Sequence, residues 1–263
     1  MRFKFSNILN LNSFPQLNKI KIKEKNEYLW KKIKIVQISD FHIERVDNLF
    51  IKNVIQKINK EEPDLIFFTG DLIDYKCIKE INMLKELKCK LKIFILGNRE
   101  KNDLLSFRKI IKDNKWILLE DEFINLNIKG ENIYVYGMND LTINNDDDFE
   151  EIKNKYNKNV IYKNLEKIDI LLCHNPGILN KYDDMFLKPR LILLGHTHKG
   201  QIYPFGLKYL KKDLRKYIGN FIFKKSFVNV SNGIGYGRIF KNKYLEKINV
   251  RFLAQNNIDV LYI

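Results

Sequence analysis

The chain has 263 residues, of which 45% are hydrophobic, and this is enough apolar material to bury one sizeable core. Its 47 lysines and arginines against 32 aspartates and glutamates give a net charge of +15, a balance that attracts phosphates, nucleic acid or anionic lipid, or that reflects coding bias. Three widely spaced cysteines argue against a disulfide framework, and no apolar stretch approaches the roughly 20 residues of a membrane span.

Residues 1–16 carry apolar side chains without clear periodicity, a pattern typical of a loose N-terminal arm or of a weak membrane-surface contact. From residue 17 to residue 263 the pattern is regular and shows no second-domain boundary, so we predict one domain over this range. Because residues 1–30 also lack a signal-peptide pattern, we expect a cytoplasmic protein.

Six short apolar runs, rich in β-branched and aromatic residues, predict strands that are covered on both faces. They are Ile33–Ile38, Leu65–Phe68, Leu91–Leu96, Ile168–Cys173, Leu191–Leu194 and Phe227–Val230. Apolar stripes at helical spacing within 49–58 and 104–111 predict core-facing helices, and Lys129-Gly130 marks the turn of a hairpin within 123–136. This alternation is typical of an α/β domain.

Polar and glycine residues follow five of these runs. They are Asp40-Phe41-His42, Gly70-Asp71, Gly97-Asn98-Arg99-Glu100, His174-Asn175 and Gly195-His196-Thr197-His198. Open α/β sheets bind ligands at this edge. Residues two positions apart at a strand end can point the same way, and glycine lets the backbone approach closely. Imidazole and carboxylate ligands in this number would hold two divalent metals about 3.5 to 4 Å apart.

These five ordered blocks resemble the pattern of the calcineurin-like metallophosphoesterase family, over residues 33 to 240. The resemblance implies the metallo-dependent phosphatase fold, a four-layered α/β/β/α sandwich of two mixed sheets. It also implies that one metal is held by Asp40, His42, Asp71 and His198 and the other by Asp71, Asn98, His174 and His196. In this reading Asp71 bridges the two ions.

The implied cofactors are two divalent metal ions, with manganese, iron, zinc, nickel and cobalt all compatible with this donor set. The implied activity is that of a metal-dependent phosphohydrolase, a phosphodiesterase or phosphatase. A hydroxide that bridges the metals attacks a phosphoester or pyrophosphate bond.

Two positions depart from the family pattern. Arg99 stands where the family usually has a histidine that protonates the leaving oxygen. A guanidinium cannot act as a general acid near neutral pH, although it binds phosphate well. We therefore expect a leaving group that departs without protonation. Lys199 replaces a glycine and either contacts phosphate or is a solvated loop lysine.

Segments 35–42, 195–202 and 230–235 are similar to the YkuE/YaeI branch of bacterial phosphoesterases. The alternative comes from the Gly-Asn-Arg-acid block, which is similar to that of UDP-2,3-diacylglucosamine hydrolases, and it predicts pyrophosphate hydrolysis of a lipid-linked nucleotide. A second alternative is a non-catalytic phosphoesterase-like scaffold. A nuclease is disfavoured because the chain lacks aromatic residues interleaved with basic ones.

Residues 207–217 have leucines on one face and lysines elsewhere, which predicts a short basic amphipathic helix. Packing of the leucines on the core is the preferred interpretation. Peripheral contact with an anionic membrane at its inner face is the alternative. The expected partner is a phosphate-containing substrate rather than nucleic acid.

Overall fold

The computed structural model describes residues 9–11, 14–24, 27–28, 33–140, 154, 157–158, 168–184, 188–200, 212, 215–237, 250–252 and 255–263. Most of the helix predicted at 207–217 therefore lies outside the described residues. Within the described residues, no helix is both long enough and apolar enough to cross a membrane.

Two α-helices and sixteen β-strands are described. The helices are α1 (Asn48–Glu61) and α2 (Leu104–Asp113). The strands are β1 (Leu9–Leu11), β2 (Gln16–Lys21), β3 (Lys23–Glu24), β4 (Glu27–Tyr28), β5 (Lys34–Ile38), β6 (Leu65–Thr69), β7 (Leu91–Ile95), β8 (Ile117–Leu119), β9 (Glu122–Ile128), β10 (Glu131–Gly137), β11 (Ile170–Leu172), β12 (Leu191–Leu194), β13 (Gly219–Phe223), β14 (Ser226–Val230), β15 (Val250–Phe252) and β16 (Asn257–Tyr262). All six predicted strands, both helices and the hairpin β9–β10 are confirmed.

Two mixed six-stranded sheets form the body of the protein. The first has the order β2-β16-β5-β6-β7-β8, and the second has the order β13-β14-β12-β11-β10-β9. Strands β5 to β8 are parallel, as are β10, β11, β12 and β14, while β16 and β9 supply antiparallel pairings. In the segment predicted as an N-terminal arm, β1 pairs antiparallel with β15.

The main core lies between the two sheets. Alternate residues of each strand face it, as the two-residue period of a strand requires. Ile35 of β5 packs there against side chains such as Val135 and Leu193 of the second sheet. Val36, its neighbour, faces outward and packs with α1 and α2. Strands buried on both faces therefore read as continuous apolar runs.

The outer faces are covered differently. Helix α1 begins at Asn48, where the Asp47 carboxylate accepts a 2.7 Å hydrogen bond from the N–H of Phe50, and it packs its apolar side on the first sheet. On the second sheet, Ile178 and Leu179 of the 3₁₀ helix Pro176–Asp184 and Tyr217 cover the apolar side chains. Two mixed sheets with outer helical layers match the predicted sandwich.

A buried polar contact joins the sheets near the edge where the polar segments emerge. The Gln37 amide donates to Thr69 Oγ1 at 3.0 Å and to the Leu194 carbonyl at 2.8 Å, and its oxygen accepts from Asn229 Nδ2 at 2.8 Å. Thr69 and Leu194 are the last residues of β6 and β12. The carboxyl ends of strands from both sheets are therefore fixed relative to one another.

Candidate metal centre

The segments that follow β5, β6, β7, β11 and β12 meet at one edge of the sandwich. The structure brings together all seven predicted ligands, which are Asp40, His42, Asp71, Asn98, His174, His196 and His198. We call Asp40, His42 and His198 the first donor cluster, and Asn98, His174 and His196 the second. Asp71 lies between them.

Five of these seven residues have left-handed backbones, a conformation that is uncommon outside glycine. Their φ angles are 50° for Asp40, 46° for His42, 55° for Asp71, 72° for His196 and 48° for His198. Backbone hydrogen bonds hold two of the segments together, since Asp40 N–H donates to the Gly70 carbonyl and His42 N–H to the Asp71 carbonyl. Such strained residues concentrate at functional sites, where the surrounding structure imposes them.

Three glycines allow the segments to approach this closely, as predicted. A Cβ on Gly70 would lie 2.7 Å from His174 Nδ1, and one on Gly97 would lie 2.4 Å from Asp71 Oδ1. A Cβ on Gly195 would lie 2.0 Å from Ser39 Oγ and 2.7 Å from Asp40 Oδ2. Any side chain at these positions would push into the ligands themselves.

In the first donor cluster, nitrogen and oxygen atoms face each other at short range. His198 Nε2 lies 3.1 Å from His42 Nε2 and 3.2 Å from Asp40 Oδ1. Asp71 Oδ2 lies 3.9 Å from His42 Nε2. The other oxygen of Asp40 accepts hydrogen bonds from Ser39 Oγ and from His196 N–H, which fixes the carboxylate.

The second donor cluster has the same spacing. His196 Nδ1 lies 3.1 Å from Asn98 Oδ1 and 3.2 Å from His174 Nε2, which is 3.5 Å from Asp71 Oδ2. On the far side of its ring, His174 Nδ1 lies 2.7 Å from the Thr69 carbonyl. Donation of that N–H to the carbonyl leaves Nε2 available to bind a metal.

The donor spacings fit divalent metals. With metal–ligand bonds of about 2.1 Å, neighbouring ligands on one ion are about 3.0 to 3.4 Å apart. The closest contacts in both clusters, 3.1 to 3.2 Å, fall in this range. Imidazole nitrogens that face each other at 3.1 Å, as in His42 and His198, are satisfied by a shared cation.

The pKa values follow from burial and from neighbouring charges. Burial lowers the pKa of His42 to about 4, so its ring is neutral at pH 7 and competent to bind metal. Burial also opposes protonation of His174, but the carboxylates of Asp71 and Asp40 outweigh it and hold the pKa of His174 well above 6.5. The site therefore attracts positive charge most strongly beside Asp71.

Three carboxylates that sequence reasoning did not assign hold the loop that begins with Asp71. Glu100 accepts from the N–H groups of residues 71, 72 and 73 and of Gly97. Glu44 accepts from those of residues 74, 75 and 76, and Asp103 from that of residue 77. Seven successive N–H groups thus have carboxylate acceptors, and this fixes the loop that carries Asp71.

Arg99 lies at the rim of the site. Its side chain is 33% exposed, and its Nε lies 4.0 Å from Asp71 Oδ2 and 3.7 Å from Asp74 Oδ1. Its backbone N–H donates to Asp71 Oδ1 at 2.9 Å. Asp74 Oδ2 accepts from Arg45 Nε at 2.8 Å, so the same buried carboxylate pairs with Arg45 and lies beside Arg99.

Lys199, the other residue that differs from the family pattern, lies in the turn His198–Gly200, with a left-handed φ of 51°. It is half-buried, and phosphate binding by its ammonium group stays a prediction.

Asp140 is the residue that sequence reasoning missed. It is fully buried, and Asp140, His174 and His196 offer ligand atoms that all lie within 4.8 Å of one another. A signal was present, because Asp140 follows the strand β10 just as the predicted ligands follow theirs. The hairpin predicted within 123–136 ends before Asp140.

The sequence profile of the calcineurin-like phosphoesterase family matches residues 33–200, which contain both clusters and Asp71. The chain belongs to this family. Metallophosphoesterases of this family bind divalent metals, and the donor atoms described above are of the kind that such ions require.

Relatives in bacteria carry the family name. An uncharacterized metallophosphoesterase of Helicobacter pylori is 29% identical over 94% of this chain, which spans 65% of that protein's length. The uncharacterized metallophosphoesterase YkuE of Bacillus subtilis is 27% identical over 86% of this chain and 77% of its own length. The UDP-2,3-diacylglucosamine pyrophosphatase LpxG of Chlamydia muridarum is 37% identical, but over only 22% of this chain and 18% of its own.

Among solved structures, the sulfate thiohydrolase SoxB of Thermus thermophilus is similar with a TM-score of 0.50 and 10% identity. The similarity covers 89% of this chain and 57% of SoxB. At this identity the likeness concerns the fold, and it agrees with the two-sheet sandwich.

Proposed function

We propose that this chain is a hydrolase of phosphate esters or phosphoanhydrides that uses two divalent metal ions held by the two donor clusters and Asp71. One observation carries the proposal, namely that seven donor residues from five separate segments converge with spacings that suit two ions. When bound, the metals would polarise the phosphoryl group and supply a water of low pKa.

The residues of this chain would hold and orient these components. Asp71 Oδ2 faces His42 on one side and His174 on the other, which is the position expected of a bridging carboxylate. Its other oxygen is held by the N–H of Arg99. The guanidinium of Arg99, at the rim, would bind a phosphate oxygen that the metals leave free.

The experiment is a panel of phosphodiesters, pyrophosphates and phosphomonoesters, assayed with the metal-free full chain and after addition of each candidate metal. Hydrolysis that requires metal and that Asp71→Ala abolishes is the expected result. Asp169→Asn changes a buried carboxylate that instead accepts from the Tyr134 N–H, and this matched control should retain activity. Metal binding without hydrolysis of any ester would favour the non-catalytic scaffold.

The finer proposal concerns the bond that is cleaved. Because Arg99 cannot donate a proton near neutral pH, the preferred leaving group is one that departs as a stable anion, such as a nucleotide phosphate from a pyrophosphate link. The partial similarity to LpxG, whose name describes a pyrophosphatase, favours this class of bond. A lipid-linked nucleotide is the specific alternative.

Arg99→His tests the finer proposal directly. The wild-type chain should hydrolyse pyrophosphate-linked nucleotides faster than alkyl phosphomonoesters, and Arg99→His should move the preference toward the alkyl esters. Arg99→Lys keeps the positive charge without a proton donor of suitable pKa, so it should not produce this shift. Faster turnover of alkyl esters by the wild-type chain would refute the leaving-group argument.

We also propose a phosphate-bearing substrate as the partner and a peripheral membrane location. The net charge of +15 supports a phosphate-bearing substrate and, secondarily, peripheral contact with an anionic membrane from the cytoplasmic side. Cosedimentation with vesicles of neutral and of anionic lipid, at low and high salt, tests the membrane contact. Binding that requires anionic lipid and falls with salt would support it.

A further inference from the structure

We propose that Asp140 is a fifth protein ligand of the second metal site, beside Asp71, Asn98, His174 and His196. This inference rests on the proposed two-metal function and adds a residue that lies outside the five sequence blocks. Its basis is the position of one buried carboxylate, the distances around it and the charge balance of the two sites.

The backbone places Asp140 at the second donor cluster. Strand β10 runs parallel to β11, and the pairing continues past Gly137 because the Met138 N–H donates to the Leu172 carbonyl at 2.9 Å. Asp140 therefore leaves the sheet beside His174. Asp121 fixes this segment, since its two oxygens accept from the backbone N–H of Asn139 at 2.9 Å and from its side-chain amide at 3.1 Å.

The distances allow a common ion. Asp140 Oδ2 lies 4.0 Å from His174 Nε2, and a ligand oxygen of Asp140 lies within 4.8 Å of a ring nitrogen of His196. Ligands on opposite sides of an ion with bonds of about 2.1 Å are about 4.2 Å apart. Asp140 and His174 are thus close enough to be ligands of one ion, and so is His196, at 3.2 Å from His174.

Burial favours a cation beside the carboxylate of Asp140. Asp140 is 0% exposed, and an ionised carboxylate is retained in such a place only with a compensating charge. A divalent ion between Asp140, His174 and His196 supplies this charge directly.

Charge balance supports the same assignment. Each cluster offers two imidazoles and shares the carboxylate of Asp71, and the first cluster has a carboxylate of its own in Asp40. Without Asp140 the second cluster has only the neutral amide of Asn98 in that place. With Asp140, each ion would have one carboxylate that binds it alone, in addition to the carboxylate of Asp71 that both ions share.

The test is calorimetric titration of the metal-free full chain with Mn²⁺. The wild-type chain should bind two equivalents. Asp140→Asn should weaken the binding of one of the two equivalents by about 10- to 100-fold and leave the other unchanged. Asp169→Asn, which removes another fully buried carboxylate of the same sheet, should bind both equivalents as the wild type does.

A spectroscopic variant gives a positive signature of coordination. In Asp140→Cys loaded with Co²⁺, a thiolate at position 140 should add a sulfur-to-cobalt charge-transfer band in the near ultraviolet that wild-type and Asp169→Cys chains lack. Unchanged affinity for both equivalents in Asp140→Asn, or no band from Asp140→Cys with two Co²⁺ bound, would overturn the assignment. Failure of the wild-type chain to bind two ions would instead refute the proposed function.

Discussion

The fold holds His174 of the second donor cluster differently from His42 and His198 of the first. His42 and His198 of the first cluster have left-handed backbones in loops, and the side chain of His198 is 12% exposed. His174 of the second cluster follows β11 directly, is fully buried, and is fixed by its contact with the Thr69 carbonyl. His174 is thus held within the core at the end of a strand, whereas His42 and His198 depend on loop geometry, and His196 of the second cluster resembles these two in its left-handed backbone.

Because of this difference, we expect these histidines to be equally important for hydrolysis but not for the stability of the fold. Both clusters should be needed for hydrolysis, because the two ions act together. Of the histidines compared, His174 should contribute most to folding in the absence of metal, because it is fully buried and faces the carboxylate of Asp71. Variants that affect one cluster at a time can test this division.

The largest effect is expected from His174→Ala compared with His198→Ala. Each should lower hydrolysis by roughly 1000-fold, since each removes a ligand. In metal-free protein, His174→Ala should lower the free energy of unfolding by about 3 kcal/mol, because it leaves buried carboxylates without their partner. His198→Ala should lower it by about 1 kcal/mol or less. Urea unfolding in the presence of a chelator measures both, and equal losses would contradict the division.

Glycine substitutions should affect the clusters separately. Gly195→Ala places a methyl group against Asp40 and should weaken metal binding at the first cluster, whereas Gly70→Ala presses on His174 and should weaken the second. Each should destabilise the protein by about 2 to 3 kcal/mol. Gly130 is the matched control, since a Cβ there meets open space and only its φ of +81° opposes alanine.

For Gly130→Ala we expect a loss of about 1 kcal/mol and unchanged metal binding. Titration with Mn²⁺ and urea unfolding of the three variants provide the measurements. The same loss of metal affinity in all three variants would show that it reflects general destabilisation rather than contact with the ligands.

The strands and the predicted ligands could be read from the sequence because both depend on local pattern. A strand such as Leu191–Leu194, buried on both faces, is a continuous apolar run, and the polar residues after it mark the sheet edge. The edge strand β2 (Gln16–Lys21) could not be read this way. Polar residues occupy four of its six positions, and its partner β16 lies more than 230 residues away in the chain.

The residues that hold the loop after β6 could not be predicted from the sequence for a related reason. Glu44 and Glu100 act on backbone groups about 30 residues away, and no spacing rule predicts such a contact. Asp140 was missed because the direction of β10 relative to β11 is set by the tertiary fold. Only that parallel pairing shows that the end of β10 lies at the edge that carries the donor clusters.

Glu100→Gln tests how far the loop contacts govern the shared ligand. Glu100 accepts from the N–H groups of Asp71 and Gly97 at Oε2 and from those of residues 72 and 73 at Oε1, and an amide has only one oxygen with which to replace two. We expect kcat to fall by about 10-fold with little change in unfolding free energy. Glu44→Gln acts three residues further along the loop and should lower kcat by less than about 3-fold. Steady-state kinetics decides, and the reverse order would contradict the proposed role of Glu100.

The smallest expected effect concerns Asp259, a buried carboxylate outside both clusters. Burial raises its pKa above 3.8, although Asn18 Nδ2 donates to it at 2.7 Å. A raised pKa in the folded state means that the carboxyl group favours folding when protonated and that this contribution is lost as pH rises through the folded pKa.

Asp259→Asn keeps an acceptor for Asn18 without the charge. From about pH 4 upward, the free energy of unfolding of Asp259→Asn should therefore rise relative to that of wild type. Urea unfolding with chelator across this range measures the difference, and a difference that does not change with pH would show that the charge on Asp259 is compensated in the fold.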